Sequence, residues 1–261
     1  MLSPMRIPRI YYPEQLACGN TVTLDENASR HLLRVLRLAP GATVIVFNGR
    51  GGEYEARLDE IGNKLAAVTM ERYIDCARES PLHITLAQGI ARGERMDYTL
   101  QKAVELGVAR IVPLFTDRCE VRLSGERIHR RVDHWRALMI NACEQCGRTI
   151  IPDIVTPLPL TDWIGGLTSS QDFTTSPSAH ARYKLVLDPR AAQSLSDLKA
   201  PHADKGILVL AGPEGGLSDA EITRAEQAGF IRLRLGPRIL RTETAPLAVL
   251  AALQSLWGDL G

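Results

Sequence analysis

The stretch LAGPEGGLSDAEI, residues 210–222, ends an apolar run, turns through three glycines and a proline, and opens toward a helix. The preceding GILVLAG reads as a buried strand. Ser218 to Glu221 has the form of a capping box, in which a serine hydroxyl and a glutamate carboxylate satisfy each other's backbone amides. Strand, turn and helix N-terminus in this order predict a glycine turn at the carboxyl edge of a parallel sheet, where α/β proteins bind ligands. Phosphate is the first candidate, because helix N-termini attract anions. The turn lacks the Gly-Lys-Ser/Thr of a phosphate loop, and Glu214 would repel an anion. A ligand with an apolar or cationic part suits it better.

A second turn follows in LRLGPRILRTETAPLA, residues 233–248. Leu235-Gly236-Pro237 closes another strand, and Thr242 is expected to cap a last helix running from about residue 243 to 257. Pro246 fits its first turn, where a missing amide costs nothing. Arg238 and Arg241 fall in the loop between. Either turn alone reads more readily as an ordinary loop, but two of them after consecutive strands point to a site.

Outward from these turns, LHITLAQGI, RIVPLF, IPDIV and KLVLD read as further short buried strands. Between them, MDYTLQKAVELG puts Met96, Leu100, Ala103 and Val104 on one helical face, with Gly107 as its stop. Trp135, Leu138, Met139, Ala142 and Cys146 recur at helical spacing before Gly147. The alternation predicts a mostly parallel sheet with helices on both faces. Residues 165–182, rich in Ser, Thr and Gly, read as a flexible loop. Before all this, TVTLDE, ATVIVFNGRGGEYEARL and KLAAVTM read as β-strands joined at Asn48-Gly49 and Gly51-Gly52. One helical stretch interrupts them, with Leu32, Val35 and Leu36 on a common face and Arg30, Arg34 and Arg37 elsewhere on its surface. The expected organisation is a small β domain over residues 1–76 and an α/β domain over 77–261.

Composition bounds the function. The 261 residues are 45% hydrophobic and 23% charged, with net charge +1. No apolar stretch approaches the roughly 18 to 20 residues that span a bilayer, and the N-terminus lacks a signal-peptide core, so a cytoplasmic protein is expected. The near-neutral charge argues against a general nucleic-acid binder. Arginine nonetheless outnumbers lysine 26 to 5. A GC-rich genome accounts for that as readily as a need for guanidinium forks that pair with phosphate and stack on bases. Five cysteines do not make a disulfide framework. Cys143 and Cys146 have metal-pair spacing without a second pair, and no metal site is expected. Glu144, Gln145 and Arg148 end the same helix, either as a solvated tip or as part of a site. Nucleophile-elbow and dinucleotide motifs are lacking.

The two turns, together with MRIPRIYY (5–12), HLLRVLR (31–37), QKAVELGVARIVPLFTDR (101–118) and EQCGR (144–148), resemble the RsmE family of ribosomal RNA methyltransferases, within the knotted SPOUT superfamily. The resemblance implies a PUA-like β-barrel for RNA followed by a SPOUT domain whose chain forms a trefoil knot, a topology that general folding rules disfavour. It further implies a homodimer, S-adenosylmethionine as methyl donor, and methylation of N3 of one uridine in small-subunit ribosomal RNA. The cofactor positions fall on Leu187; on Leu210, Gly212, Pro213, Glu214 and Gly215; and on Leu235, Gly236, Ile239, Leu240, Thr244 and Ala245. Such a ligand carries adenine, ribose and a sulfonium cation but no phosphate, which answers the objection raised by Glu214. A transfer-RNA methyltransferase of the same superfamily and a non-catalytic ribosome-associated RNA binder are the alternatives.

Methylating uridine N3 requires loss of its proton. Arg241 is the expected stabiliser of the charge developing on the uracil oxygens, and Glu243, or else Glu144, the expected proton acceptor. Arg148 is expected to hold a target phosphate, and Arg6, Arg34 and Arg37 to contact the RNA backbone. The target uridine is expected to be flipped out of its stack.

Overall fold

The computed structural model describes residues 7–59, 65–168, 183–201 and 206–261. The chain divides into two compact units, Met1–Glu79 with Ile140–Ile151, and Ser80–Met139 with Pro152–Gly261.

In the first unit, five strands form a sheet in the order β1-β3-β4-β5-β2: β1 (Arg9–Tyr11), β2 (Thr21–Thr23), β3 (Thr43–Phe47), β4 (Glu53–Leu58) and β5 (Ala67–Ile74). Positive φ angles at Gly49, Gly51 and Gly52 turn the chain between β3 and β4, as the glycine dipeptides predicted. Alternate residues Val44, Val46, Ala56, Leu58, Val68 and Met70 form the core with Ile10, Leu24 and Leu32.

The helical stretch departs from expectation. It is a short α1 (Glu26–Arg30), capped by Asp25, that widens into a π-turn over His31–Val35. The wider turn rotates the expected face out of register. Leu32 is buried, but Val35 is 64% exposed and Leu36 is exposed as well. Arg34 and Arg37 lie on the surface, Arg37 in the left-handed region at φ 53°. Arg6 lies outside the described residues.

In the second unit, seven strands form a sheet whose pairings are all parallel: β6 (Ile84–Gly89), β7 (Arg110–Phe115), β8 (Asp153–Ile154), β9 (Leu158–Pro159), β10 (Tyr183–Leu187), β11 (Ile207–Ala211) and β12 (Ile231–Leu233). The order is β12-β10-β11-β6-β7-β8, with β9 also on β7. Every residue of β6 and of β11 is buried, which is why β11 is a continuous apolar run and β6 is largely apolar, broken only by Thr85 and Gln88, rather than alternating.

Helices α4 (Leu160–Thr168) and α5 (Asp219–Gln227) pack on the face formed by Ala87, Val112, Leu114, Val186, Leu208 and Leu210, where Trp163 meets Phe230. The alternate residues Leu86, Ile111, Leu185 and Val209 point to the other face and are equally buried. Helix α6 (Thr244–Trp257) packs against β6 and β11, and beside it lies α2 (Glu94–Glu105), which buries Met96, Leu100, Ala103 and Val104 as predicted. Gly107, at φ 78°, lets the chain leave α2. The long α3 (Glu126–Cys146) buries Trp135, Met139, Ala142 and Cys143, while Leu138 and Cys146 are only partly covered. Residues 165–168 continue α4 instead of opening the expected loop, because Leu167 extends the apolar stripe of Leu160, Trp163 and Ile164. The remainder of that expected loop, 169–182, lies outside the described residues. No helix among the described residues is long and apolar enough to cross a membrane.

Candidate active site

The glycine turn lies at the carboxyl end of β11. Gly216 donates its amide to the Pro213 carbonyl at 2.8 Å and has φ 67°, which closes a tight turn. Ser218 and Glu221 form the predicted capping box of α5, and the Ser218 hydroxyl also donates to Asp117 at 2.6 Å. Gly212 has no room for a side chain. A Cβ there would stand 2.8 Å from the carbonyl carbon of Gly216 and 2.9 Å from the nitrogen of Leu217.

The loop after β12 lies beside this turn. Gly236 has φ 72°, and the Arg241 carbonyl accepts the amides of Thr244 and Ala245 at 2.9 and 3.0 Å, starting α6. The expected cap is corrected. Glu243 occupies the N-cap position in helical conformation without a side-chain cap bond, and the Thr242 hydroxyl donates instead to the Gly212 carbonyl at 2.9 Å. Thr242 therefore ties one turn to the other rather than closing a helix end.

The two turns and the end of β10 enclose a cleft of about 490 Å³, within the range of small-molecule sites. Of the positions expected to hold the cofactor, Leu187, Gly212, Pro213, Glu214, Gly215, Leu235, Ile239, Leu240 and Ala245 line it, and so does Arg241. Leu210 sits one residue below, in the core of the sheet, and Gly236, Glu243 and Thr244 are not among the lining residues. Ile239 is 86% exposed at the cleft, an apolar side chain offered to solvent. Arg238 and Arg241 are exposed and have no ion-pair partner among the described residues.

Glu214 has a different task from the one its place in the turn suggested. Its carboxylate accepts the Arg92 amide and the Arg95 guanidinium, both at 2.9 Å. Burial works to raise its pKa, but the Arg92 and Glu214 backbone amides and then Arg95 outweigh it, so the carboxyl stays below its ordinary range. Glu214 thus braces the glycine turn against the start of α2. Arg95 also stands 3.9 Å from the carboxylate of Glu243, whose Oε2 is buried without a hydrogen-bond partner.

Asp188 and Arg190 were not among the expected cofactor positions, yet both line the cleft. The Asp188 side chain, 1% exposed, accepts Arg190 through one oxygen and Arg232, at 2.6 Å, through the other. Burial opposes its ionisation, but the Arg190 amide and the two guanidiniums outweigh burial and lower its pKa. A lowered folded pKa contributes stability that is complete above the unfolded value and is lost as pH falls through the folded value. Asp188→Asn is therefore expected to lower unfolding free energy at neutral pH by about 1–3 kcal/mol, the partial exposure of the arginines limiting the loss. Urea melts at falling pH should bring variant and parent together in acid.

The residues expected near the end of α3 fall in the first unit. Glu144 accepts the Tyr11 amide at 2.9 Å, and burial raises its pKa despite that bond. Arg148, only 6% exposed, is bound to Glu79 at 2.6 Å, and Glu79 also accepts the Thr149 and Ile150 amides. Its guanidinium is committed to this buried pair rather than presented to a phosphate. Arg9 and Arg78 pair with Glu53 in the same unit. The Cys143 thiol is pushed up to about 12, chiefly by burial, and remains protonated. No group of three or more potential metal ligands occurs among the described residues.

The cleft suits S-adenosylmethionine on the chemistry of its lining. Backbone turns without lysine and leucines at 187, 217, 233 and 235 favour a phosphate-free ligand with flat and apolar parts, and the free arginines can meet a carboxylate.

A parallel sheet preceded in the chain by a small β unit, with a cleft between two turns at its carboxyl edge, defines the class. The RNA methyltransferase domain family matches residues 78–254, and the RNA methyltransferase PUA domain family matches residues 24–71. The ribosomal RNA small subunit methyltransferase E of Buchnera aphidicola (Schizaphis graminum) is 34% identical over 98% of both chains, and that of Bacillus subtilis 26% identical over 92% of both. A Neisseria gonorrhoeae ribosomal RNA small subunit methyltransferase E, solved bound to S-adenosyl methionine, is 39% identical with a TM-score of 0.87, covering 98% of this chain and 100% of its own. A Legionella pneumophila protein solved in complex with the bound cofactor SAM has 37% identity and a TM-score of 0.88 over the same shares. The chain belongs to the ribosomal RNA small subunit methyltransferase E family.

Proposed function

We propose that this protein transfers a methyl group from S-adenosylmethionine to N3 of a uridine in small-subunit ribosomal RNA. The carrying observation is the cleft between residues 212–217 and 235–245, which adjoins two unpaired arginines. Bound there, the cofactor supplies a methyl group on a sulfonium cation. The chain's own contribution is alignment and charge. Leu187, Leu235, Leu240 and Ala245 hold the flat and apolar parts, and the rigid glycine turn lets the ligand approach the backbone closely. Arg241 stabilises the negative charge that spreads over the uracil oxygens as the N3 proton leaves. Glu243, two residues after Arg241, is the proposed acceptor of that proton; its Oε2 has no hydrogen-bond partner among the described residues and stands 3.9 Å from Arg95. Arg34 and Arg37, exposed on the first unit, are proposed phosphate contacts. The unit carrying them, residues 1–76 by the sequence reading, is proposed as the RNA-binding module, and 77–261 as the knotted methyltransferase domain. We place the active form as a homodimer in the cytoplasm.

The test is transfer of labelled methyl from S-adenosylmethionine to small ribosomal subunits lacking the modification, beside the same subunits' naked RNA and bulk transfer RNA. Label in small-subunit RNA is expected. Label in transfer RNA alone would replace the substrate, and tight cofactor binding without label in any RNA would leave a binder in place of an enzyme.

A further inference from the structure

Gln88, the penultimate residue of β6, is fully buried and does not line the cleft. Its side-chain nitrogen donates to the Gly89 carbonyl at 2.9 Å, to the Gly212 carbonyl at 3.2 Å and to the Thr242 hydroxyl at 3.4 Å. Three oxygens around one nitrogen fix the orientation of the amide. Thr242 spends its own hydroxyl proton on the same Gly212 carbonyl, so its oxygen is free to accept from Gln88. The contacts close a triangle in which every donor has an acceptor.

Three chain segments meet at this amide: the end of β6, the glycine turn and the loop that carries Arg241. They pass one another too closely for ordinary side chains. A Cβ at Gly89 would lie 2.6 Å from Pro213 Cδ and 2.7 Å from Pro213 N, matching the exclusion already seen at Gly212. The Gly212 carbonyl, with two donors, has both lone pairs filled and cannot accept from a ligand. The other end of Gln88 has a cost, since Oε1 is buried without a partner among the described residues. An orphaned acceptor lowers stability, so an apolar side chain would serve the core better, and the donor end is what the amide contributes.

Resting on the proposed activity, we propose that Gln88 is a positioning residue for methyl transfer, holding the glycine turn and the Arg241 loop at the spacing that aligns donor and acceptor. It touches neither cofactor nor substrate. Its effect reaches the reaction through Gly212 on one side and through Thr242, the neighbour of Arg241, on the other.

Gln88→Met keeps the volume and removes the donor. Thr242→Val removes the same tie from the opposite side. Each is expected to melt within a few degrees of the parent, to bind S-adenosylmethionine about tenfold more weakly by calorimetry, and to lose about tenfold in kcat at saturating cofactor. Because both variants undo one connection, the double variant should be no worse than about the weaker single one. Parental affinity and kcat in Gln88→Met overturn the assignment, as do losses that multiply in the double variant. If Gln88→Met does not fold, Thr242→Val with parental affinity and kcat overturns it equally. Failure of the parent itself to bind S-adenosylmethionine removes the proposed activity, whereas parental affinity and kcat in both variants, with normal binding by the parent, remove only the role of Gln88.

Discussion

Arg241→Ala should reduce single-turnover methylation by about 10²–10³-fold, the scale on which one preorganised charge stabiliser acts, while changing S-adenosylmethionine affinity by less than about threefold. The split follows from what surrounds the residue. Its backbone carbonyl is fixed by the first amides of α6, whereas its guanidinium is exposed at the cleft without an ion-pair partner among the described residues. A side chain spent on internal contacts would show a fall in stability, and one that gripped the cofactor a rise in Kd. A group poised for charge that appears only in the transition state lowers kcat. Arg241→Lys should recover part of the rate, since a point charge replaces a planar fork. Full turnover in the alanine variant would remove Arg241 from the chemistry.

Gly212→Ala should weaken cofactor binding at least about 100-fold, with a fall in melting temperature of several degrees. The methyl group would press on the backbone of Gly216 and Leu217, which are locked by the 213–216 turn and by the α5 capping box. Gly215→Ala should be milder. Its Cβ would make one close contact, with Arg118 Cβ at 2.9 Å and the next atoms at 3.4 Å, against three backbone atoms within 3.0 Å at Gly212. Calorimetric titration of both variants with S-adenosylmethionine checks the order. Equal effects would mean that the turn yields as a whole, against the rigid geometry on which the cleft depends.

Much of the second unit was legible because its signals are local. The fully buried runs of β6 and β11, the helical face of Met96, Leu100, Ala103 and Val104, and the Ser218–Glu221 box each rest on neighbours close in sequence. Errors arose where distant partners decided. Thr242 had the right residue type for a cap, but Gly212 and Gln88, 30 and 154 residues away, claimed its hydroxyl. Glu214 lines the cleft as expected, but its carboxylate goes to Arg92 and Arg95, 122 and 119 residues away. Arg148 resembled a phosphate reader until Glu79 buried it. The π-turn at His31–Val35 broke the assumed 3.6-residue period, which carried Val35 and Leu36 into solvent. Gln88 had no sequence signal of its own, being one of two polar residues, with Thr85, inside a largely apolar strand.

These corrections sharpen the account of the site. The glycine turn contributes shape and rigidity rather than a carboxylate or a Gly212 carbonyl, leaving the apolar lining to hold the cofactor and the unpaired arginines to handle charge. Ionised side chains brace the walls, as Glu214 does against α2 and Asp188 against Arg232.

The most direct measurement is the identity of the nucleoside formed when unmodified small subunits receive labelled methyl from S-adenosylmethionine, digested to nucleosides and resolved by mass and chromatography. The account predicts 3-methyluridine as the labelled product, formed by the parent protein and nearly lost in Arg241→Ala. Label on a ribose oxygen or on a carbon of the base would contradict it, because neither requires the deprotonated uracil imide around which Arg241 and Glu243 have been assigned.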